Sequence, residues 1–500
     1  MEIIKDKNVL IVGATGGIGK ATAILLKQSG ANLFVTSSNE SKLAELSALL
    51  DLPSHQTFLL DITDANAVKN VAENIHQQIP AIDILINAAG IGIIKPIENL
   101  TEQDFMQSIQ VNLAGAFYLV KNFIEPMKIL QIVESLHNGA VENWLVNCFV
   151  EISKIKPDWQ WTFFCIIENE GKLEHLVKKN GGKVLKSPVT ISDKKNFRQN
   201  LSDLSSKMEF DIIHAHHDYM NAFYLLSFHN SKAYKISHIH NTDKHLPIRN
   251  RVVNRLLIPA LRIINNIGYD RIIGISQDTI KEFKMALNIR AQKNILYYGI
   301  ELEKFNLKYD KDKFLLENNL PSNAIVLLFI GRFTSLKNPS FLVEILHELY
   351  NHFDIPFYAL FVGEGDEKNK IIQKAKEFNL VDKIRISRWV ENPEKYFQLA
   401  DVFVFPRVLK PIEGFGIVML EAQAAGIPII VSRGVSKETI VIKDIVEMMD
   451  SVSNPKQWAK EIVKKYKISH LQSSLEIMKS SSFNIQSSAS KLIDIYEFKA

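Results

Sequence analysis

The sequence predicts an α/β protein of doubly wound parallel sheets: a truncated sheet first, then two more that face each other across a cleft. Three observations predict it. A chain of 500 residues is too long for one ordinary core and suits about three domains. Apolar runs of strand length alternate with amphipathic helical stretches throughout, the pattern of βαβ units. Charge also changes character along the chain: residues 1–126 hold 8 Lys and no Arg against 13 Asp or Glu, and the first Arg is Arg198. Because the net charge is only +4, the remainder is markedly basic, and two histories in one chain follow.

Composition narrows the function classes. With 46% hydrophobic and 23% charged residues the chain reads as soluble and globular. No run of 18 apolar residues occurs, so no spanning helix is expected. The N-terminus enters a strand without the apolar stretch of a signal peptide. Cys148 and Cys165 lie in apolar surroundings and read as inert thiols in a reducing, cytoplasmic compartment. Nothing has metal-ligand spacing, and no nucleic-acid partner is expected. The basic part suits an anionic substrate or membrane surface, although a solvated charged face is the commoner origin of such a balance.

The first element, "NVLIVGATGGIGKATAILL", is strand, glycine turn and helix. Gly13, Gly17 and Gly19 would let the backbone approach a pyrophosphate at the helix N-terminus. Asp61 ends the strand of "TFLLDITD" and is placed to accept from an adenine amino group. "IDILINAAG" is a further buried strand ending in Asn87, Ala88, Ala89 and Gly90, and Asn112 lies in the helix "DFMQSIQVNLAGAFYLVKNF". This set resembles the short-chain dehydrogenase/reductase family over about 125 residues. The resemblance implies a truncated Rossmann half over 1–126, with the glycines, Asp61 and Asn87 to Gly90 lining an NAD(P) site. The second strand ends in Thr36-Ser37-Ser38, with neither an acid for a ribose 2′-hydroxyl nor an Arg for a 2′-phosphate, so NAD and NADP are equally unsupported. Catalysis in that family needs a Ser and then Tyr-x-x-x-Lys, where the Lys lowers the Tyr pKa. The sequence where the Tyr is due is "NCFVEISKIK", without one. The expectation is weak NAD(P) binding and no reductase chemistry.

From Met127 a new series begins with the strand and glycine turn of "MKILQIVESLHNGAVENWLVN". "WQWTFFCIIE", "FDIIHAHH", "AYKISHIHN" and "DRIIGIS" follow as strands separated by helical stretches. A polar connector then leads to "IVLLFIGRF", "FYALFVGEG", "KIRISRW", "VFVFP" and "PIIVS". The most specific motif is "PIEGFGIVMLEAQAAGIPIIVS". Glu413 and Glu421 stand a little over two helical turns apart, so both carboxylates are expected near one helix face, ready to accept from sugar hydroxyls. Gly414, Phe415 and Gly416 open the helix between them. Arg332 and Lys337, beyond the strand of "IVLLFIGRF", would neutralise a diphosphate leaving group.

These residues resemble the retaining GT-B glycosyltransferases of capsule and exopolysaccharide synthesis, from Met127 over about 370 residues. The resemblance implies an acceptor-side domain over 127–305 and a nucleotide-sugar domain over 306–500, the last helix crossing back. It implies transfer of a sugar from a UDP-sugar or similar donor to a saccharide or lipid-linked acceptor, with no cofactor required. Glu421 would hold the donor ribose and Glu413 the sugar, Arg332 and Lys337 the diphosphate with Gly139 beneath it, and His240 would face the reacting sugar. His238 reads as structural. Ala140 replaces a common second glycine, and Tyr298 stands where an Asn is common, a change expected to be tolerated. The stretch "HLPIRNRVVNRLLIPALRIINNIG", with Arg251, Arg255 and Arg262, is either a basic outer face or a peripheral contact with an anionic membrane.

Two other readings stand beside this one. "ILQIVES" has the form of a fifth Rossmann strand with Ser135 as a catalytic serine, which would make the chain an oxidoreductase. A non-catalytic nucleotide-binding protein is the third. The sheet that contains residues 129–133 separates the first two.

Overall fold

The structure is a computed structural model that describes residues 4–79, 81–123, 126–137, 139–225, 227–228, 231–241, 251–283, 291–390, 392–410, 412–450, 452–468 and 470–497, with the side chains of 251–256 and 282–283 left aside. The chain divides into two compact units, Met1–Pro126 and Met127–Ala500.

In the first unit β1 (Asn8–Val12), β2 (Asn32–Ser37), β3 (Thr57–Leu59) and β4 (Ile84–Asn87) form one parallel sheet in the order β3-β2-β1-β4. This is half of a doubly wound sheet. Side chains alternate across it: Val9 and Ile11 join one apolar cluster, and Leu10 and Val12 join another on the opposite face. β4 is an edge strand and only half buried. The helix after it is not the uniform helix read from the sequence. Glu102–Ile109 and Ala116–Phe123 are α-helical, and Gln110–Gly115 between them is a π-turn. Phe105, Leu113, Phe117 and Val120 on this segment are exposed, as befits a helix that lacks the next strand to cover.

The second unit holds two parallel sheets. Seven strands make the first: β5 (Lys128–Val133), β6 (Gln160–Cys165), β7 (Lys183–Lys186), β8 (Ile212–Ala215), β9 (Tyr234–Ile239), β10 (Arg271–Gly274) and β11 (Gln292–Ile295). Their order is β11-β10-β9-β8-β5-β6-β7. Six make the second, in the order β14-β13-β12-β15-β16-β17: β12 (Ile325–Ile330), β13 (Phe357–Val362), β14 (Ile384–Ser387), β15 (Val402–Phe405), β16 (Ile429–Ser432) and β17 (Val446–Met449). This is the GT-B arrangement of two doubly wound domains. In each sheet the chain enters at the middle and reverses direction, between β5 and β8 and between β12 and β15. Such switch points leave a crevice at the carboxyl ends of the strands where ligands bind.

β5 pairs with β6 on one edge and β8 on the other. It therefore cannot be the fifth strand of the first unit's sheet, and the oxidoreductase reading loses its catalytic strand. β7, β11 and β17 have no counterpart in the sequence reading. All three are short edge strands with polar residues ("KVLK", "QKNI", "VEMM"), so they lack the apolar run that marks a buried strand.

The helix Ile485–Glu497 returns from the second sheet to pack on the helix Ala140–Ile155. Trp144 Nε1 donates to Ser488 Oγ at 3.3 Å, and Ser488 Oγ donates to the Tyr297 carbonyl at 2.6 Å. Where the chain crosses, Ile300 bridges Asn484, and a Cβ on Gly299 would stand 2.2 Å from the Asn484 carbonyl oxygen. Gly299→Ala should therefore push the returning segment off its seat and destabilise the second unit by about 2 kcal/mol or more. Denaturant unfolding of the variant measures this, and an unchanged midpoint would show that the crossing has slack.

Candidate active site

On the side of the second sheet, β12 is followed by Gly331, whose φ of +145° only glycine adopts readily. A Cβ there would lie 3.2 Å from Lys337 Nζ, so the glycine makes room for that ammonium. Lys337 Nζ stands 5.5 Å over the Phe405 ring and 4.0 Å from Glu413 Oε1. Burial lowers the Lys337 pKa, with Glu413 opposing that shift. Arg332 is exposed at the strand end.

Glu413 is fixed by Arg407, whose Nε donates to Glu413 Oε2 at 2.5 Å. Arg407 is only 4% exposed and lies two residues beyond the end of β15. The helix containing Glu421 starts at Ile417, and Gly416 before it takes φ +81°. This corrects the expectation that both carboxylates share a helix face: the left-handed residue turns the chain, so Glu413 lies in a loop and Glu421 on a helix. Glu413 approaches Lys337 directly, and the Lys337 charge also feels Glu421. Burial pushes the Glu421 carboxyl up to about 7, nearby Glu394 adds to the rise, and Lys304 and Lys337 oppose it. Phe415 is 2% exposed and packs its ring against Tyr298 and Phe483. It anchors the loop rather than lining the cleft, whereas Gly414 lies at the cleft wall.

On the opposite wall Gly139 is the N-cap of the helix Ala140–Ile155, with no side-chain cap bond. Glu142, in the first turn, folds back so that its Oε2 lies 2.0 Å from where a Gly139 Cβ would be. Burial raises the Glu142 pKa; Arg332, across the cleft, is among the charges that lower it. His240 closes this wall. Its backbone N–H donates to Asp218 Oδ1 at 2.6 Å, and its carbonyl oxygen lies 3.1 Å from where a Gly414 Cβ would be. The His240 imidazole is turned inward, with Nδ1 on Tyr298 Oη at 2.5 Å and Nε2 on His216 Nδ1 at 3.0 Å. What His240 offers the cleft is its carbonyl, not its ring.

His214, His216 and His238 are buried with ring nitrogens within 4.8 Å of one another. His216, however, uses both nitrogens in hydrogen bonds, to His240 and to Gln131 Oε1. Only His214 and His238 keep a ring nitrogen without a partner, so the group offers free nitrogens from two histidines and not from three.

In the first unit Gly13 has φ +73° and a Cβ there would meet Ala89 N at 2.6 Å, so this glycine seats the turn on the Ala88-Ala89 segment. Gly19 packs against Gly13, with a Cβ 2.3 Å from its carbonyl oxygen. Gly17 faces open space, and Gly16 caps its helix without a side-chain bond, so this N-terminus is open to an anion. Asp61 Oδ1 accepts from Thr63 N and Oγ1, and Asn87 Oδ1 accepts from Ala89 N. Gly90 lies beside Asn112, which brackets Ile91 by accepting from its N–H at 2.9 Å and donating to its carbonyl at 2.8 Å.

Sequence reasoning missed Arg407, Glu142 and the partner of Tyr298. Arg407 follows "VFVF" as Arg332 follows "IVLLFIG", so a cation after a buried strand was a readable signal. Glu142 and Tyr298 carried none, because their partners lie across turns and sheets.

Both units are similar to known proteins. Residues 7–141 match the family described as short chain dehydrogenase, and residues 310–476 match glycosyl transferases group 1. The first match runs past Pro126 into β5, which the fold assigns to the second unit. The chain is 23% identical over 345 residues to the putative glycosyltransferase EpsF of Bacillus subtilis, covering 67% of this chain and 87% of that one. It is 34% identical over 142 residues to the 3-oxoacyl-[acyl-carrier-protein] reductase FabG of Thermotoga maritima, covering 28% of this chain and 55% of that one, so it spans about half of that relative. Anabaena Alr3699/HepE, solved in complex with UDP, shares the fold of the second unit at TM-score 0.58 and 13% identity, covering 75% of this chain and 100% of that one. The first unit thus resembles the short-chain dehydrogenases over a Rossmann half, and the second has the GT-B fold and resembles the glycosyl transferases group 1.

Proposed function

We propose that the second unit transfers a sugar, with retention of its anomeric configuration, from a UDP-sugar to a saccharide or lipid-linked acceptor in polysaccharide synthesis. The observation that carries this reading is the grouping of Glu413, Glu421 and Arg332 around Lys337 at the switch point of the second sheet. The two cations would take the charge that develops on a departing diphosphate. Glu421 would accept from ribose hydroxyls and Glu413, held by Arg407, from the sugar. The Gly139 turn would sit against the diphosphate, and Glu142 would have to move aside or take a proton there. UDP in the HepE complex supports the choice of donor, as a property of that protein.

The first unit, on this reading, is a catalytically incomplete reductase fragment that binds NAD(P) weakly. Its open glycine turn at Gly16-Gly17 fits a pyrophosphate. A bound NAD(P) would supply hydride chemistry, but the first unit holds no Tyr-x-x-x-Lys to move the proton. For the acceptor side, the helix Arg251–Gly268 leaves Ile263, Ile264 and Ile267 exposed around Arg262, which supports peripheral contact with an anionic bilayer. The side chains of Arg251 and Arg255 lie outside the described residues. Among the described residues no helix is long and apolar enough to cross a membrane.

Purified chain should release UDP from at least one UDP-sugar, and release should rise with lipid-linked acceptors. Glu413→Gln and Glu421→Ala should each cut turnover by about a hundredfold. A wild-type chain that neither binds UDP nor releases it from any UDP-sugar would sink the reading.

Glu421 adds a pH dependence. Its carboxyl must be ionised to accept well from the ribose, so UDP affinity should be flat above about pH 7 and weaken by up to about tenfold per pH unit below it. Isothermal titration measures this, and Glu421→Gln should flatten the profile. The sign reverses for stability. A carboxyl whose folded pKa is raised costs nothing below its unfolded value, and the cost grows as pH rises towards about 7. Ligand-free Glu421→Gln should therefore melt above wild type at pH 8, with the gap closing towards pH 5.

A further inference from the structure

Six buried side chains form one continuous hydrogen-bonded chain across β5, β8 and β9. Gln131 Nε2 donates to Tyr496 Oη at 2.8 Å. The Tyr496 hydroxyl and His214 Nδ1 are 2.7 Å apart, Gln131 Oε1 and His216 Nε2 are 2.8 Å apart, and His216 Nδ1 and His240 Nε2 are 3.0 Å apart. Tyr298 Oη closes the chain on His240 Nδ1 at 2.5 Å. Every member is at most 6% exposed.

With the Gln131 amide nitrogen on Tyr496, the donor inventory of these groups sets the direction of each bond. With Tyr496 accepting from Gln131, its single proton goes to His214 Nδ1, so His214 carries its hydrogen on Nε2. Gln131 Oε1 can only accept, so His216 is protonated on Nε2 and accepts at Nδ1. His240 must then donate from Nε2, and its Nδ1 accepts the Tyr298 hydroxyl. All the bonds point one way, and the one loose end is His214 Nε2, which is buried without a partner. Burial holds His214, His216 and His240 neutral, which this pattern requires.

We propose that Tyr496, on the helix that returns from the second sheet, is a positioning residue that holds His240 at the cleft through Gln131 and His216. The chain locks the His240 ring in one tautomer and one orientation. Together with the Asp218 bond to its N–H, this holds the His240 carbonyl against the Gly414 turn. The two domains of the cleft are thereby registered by a side chain that lies far from it in sequence. The consequence for turnover rests on the transferase reading above. It falls on kcat, because the nucleotide end of the donor is held by other groups.

Tyr496→Phe keeps the ring that packs on Trp159 and Trp161 and removes only the hydroxyl. Nitrogen-15 NMR of histidine-labelled chain, with His240 assigned from a His240→Asn spectrum, reads the tautomers directly. Wild type should show His216 and His240 protonated on Nε2, and Tyr496→Phe should shift or broaden the His240 signals. UDP release from UDP-glucose and a panel of other UDP-sugars should show kcat down about tenfold, with KM within about twofold. Tyr298→Phe, which cuts the chain at its other end, should do the same. Nδ1 tautomers in wild type, or His240 signals unmoved by Tyr496→Phe, would overturn the proposal, as would equal kcat in an active pair. If His240 responds but wild type turns over no donor, the positioning stands and the transferase reading falls.

Discussion

A strand has two edges, and both edges of β5 are taken within the second unit, by β6 and β8. Most of the architecture depends on that allocation. It completes the seven-stranded sheet, places the switch point at the start of that unit, and aims the Gly139 turn into the cleft. It also leaves the first unit with β4 as a bare edge and with apolar side chains exposed on the helix beyond it. A Rossmann half that stops at four strands keeps its glycine turn, with the N-terminus of the following helix open.

Within the second unit, charge is organised around partial burial. Lys337 is drawn under Gly331 and against Glu413, Arg407 pins the other oxygen of that carboxylate, and Glu421 is held by burial at a pKa near neutrality. Groups desolvated in this way interact more strongly with a charged ligand than they would on a surface, and reorganise less when it arrives. The cost falls on the ligand-free protein, which keeps a carboxylate and an ammonium in surroundings neither prefers.

The strands that carry the site were legible because each is a continuous apolar run between turn signals, and the residues after those strands inherit their position from topology alone. Arg332, Lys337 and Gly139 could be placed in that way. The polar edge strands β7, β11 and β17 could not, since an edge strand has no need of the apolar run that marks a buried one. The π-turn over Gln110–Gly115 was hidden for a different reason: it comes with Asn112 bracketing Ile91, a partner 21 residues away. Glu413 and Glu421 were read onto one helix face because spacing assumes an unbroken helix, and a left-handed Gly416 breaks it.

The sequence by itself determined the two family resemblances, the succession along the chain of the strands that form the cores, and the residue types available at each strand end. These are properties of local pattern and of motifs a few residues long. Tertiary structure alone decided which sheet receives β5, that the His240 ring faces inward while its carbonyl faces the cleft, and that Tyr496 reaches Gln131 across 365 residues. Strand pairing and hydrogen-bond polarity are settled by whichever partner leaves the fewest buried groups unpaired, and that partner is fixed only when the whole chain has folded.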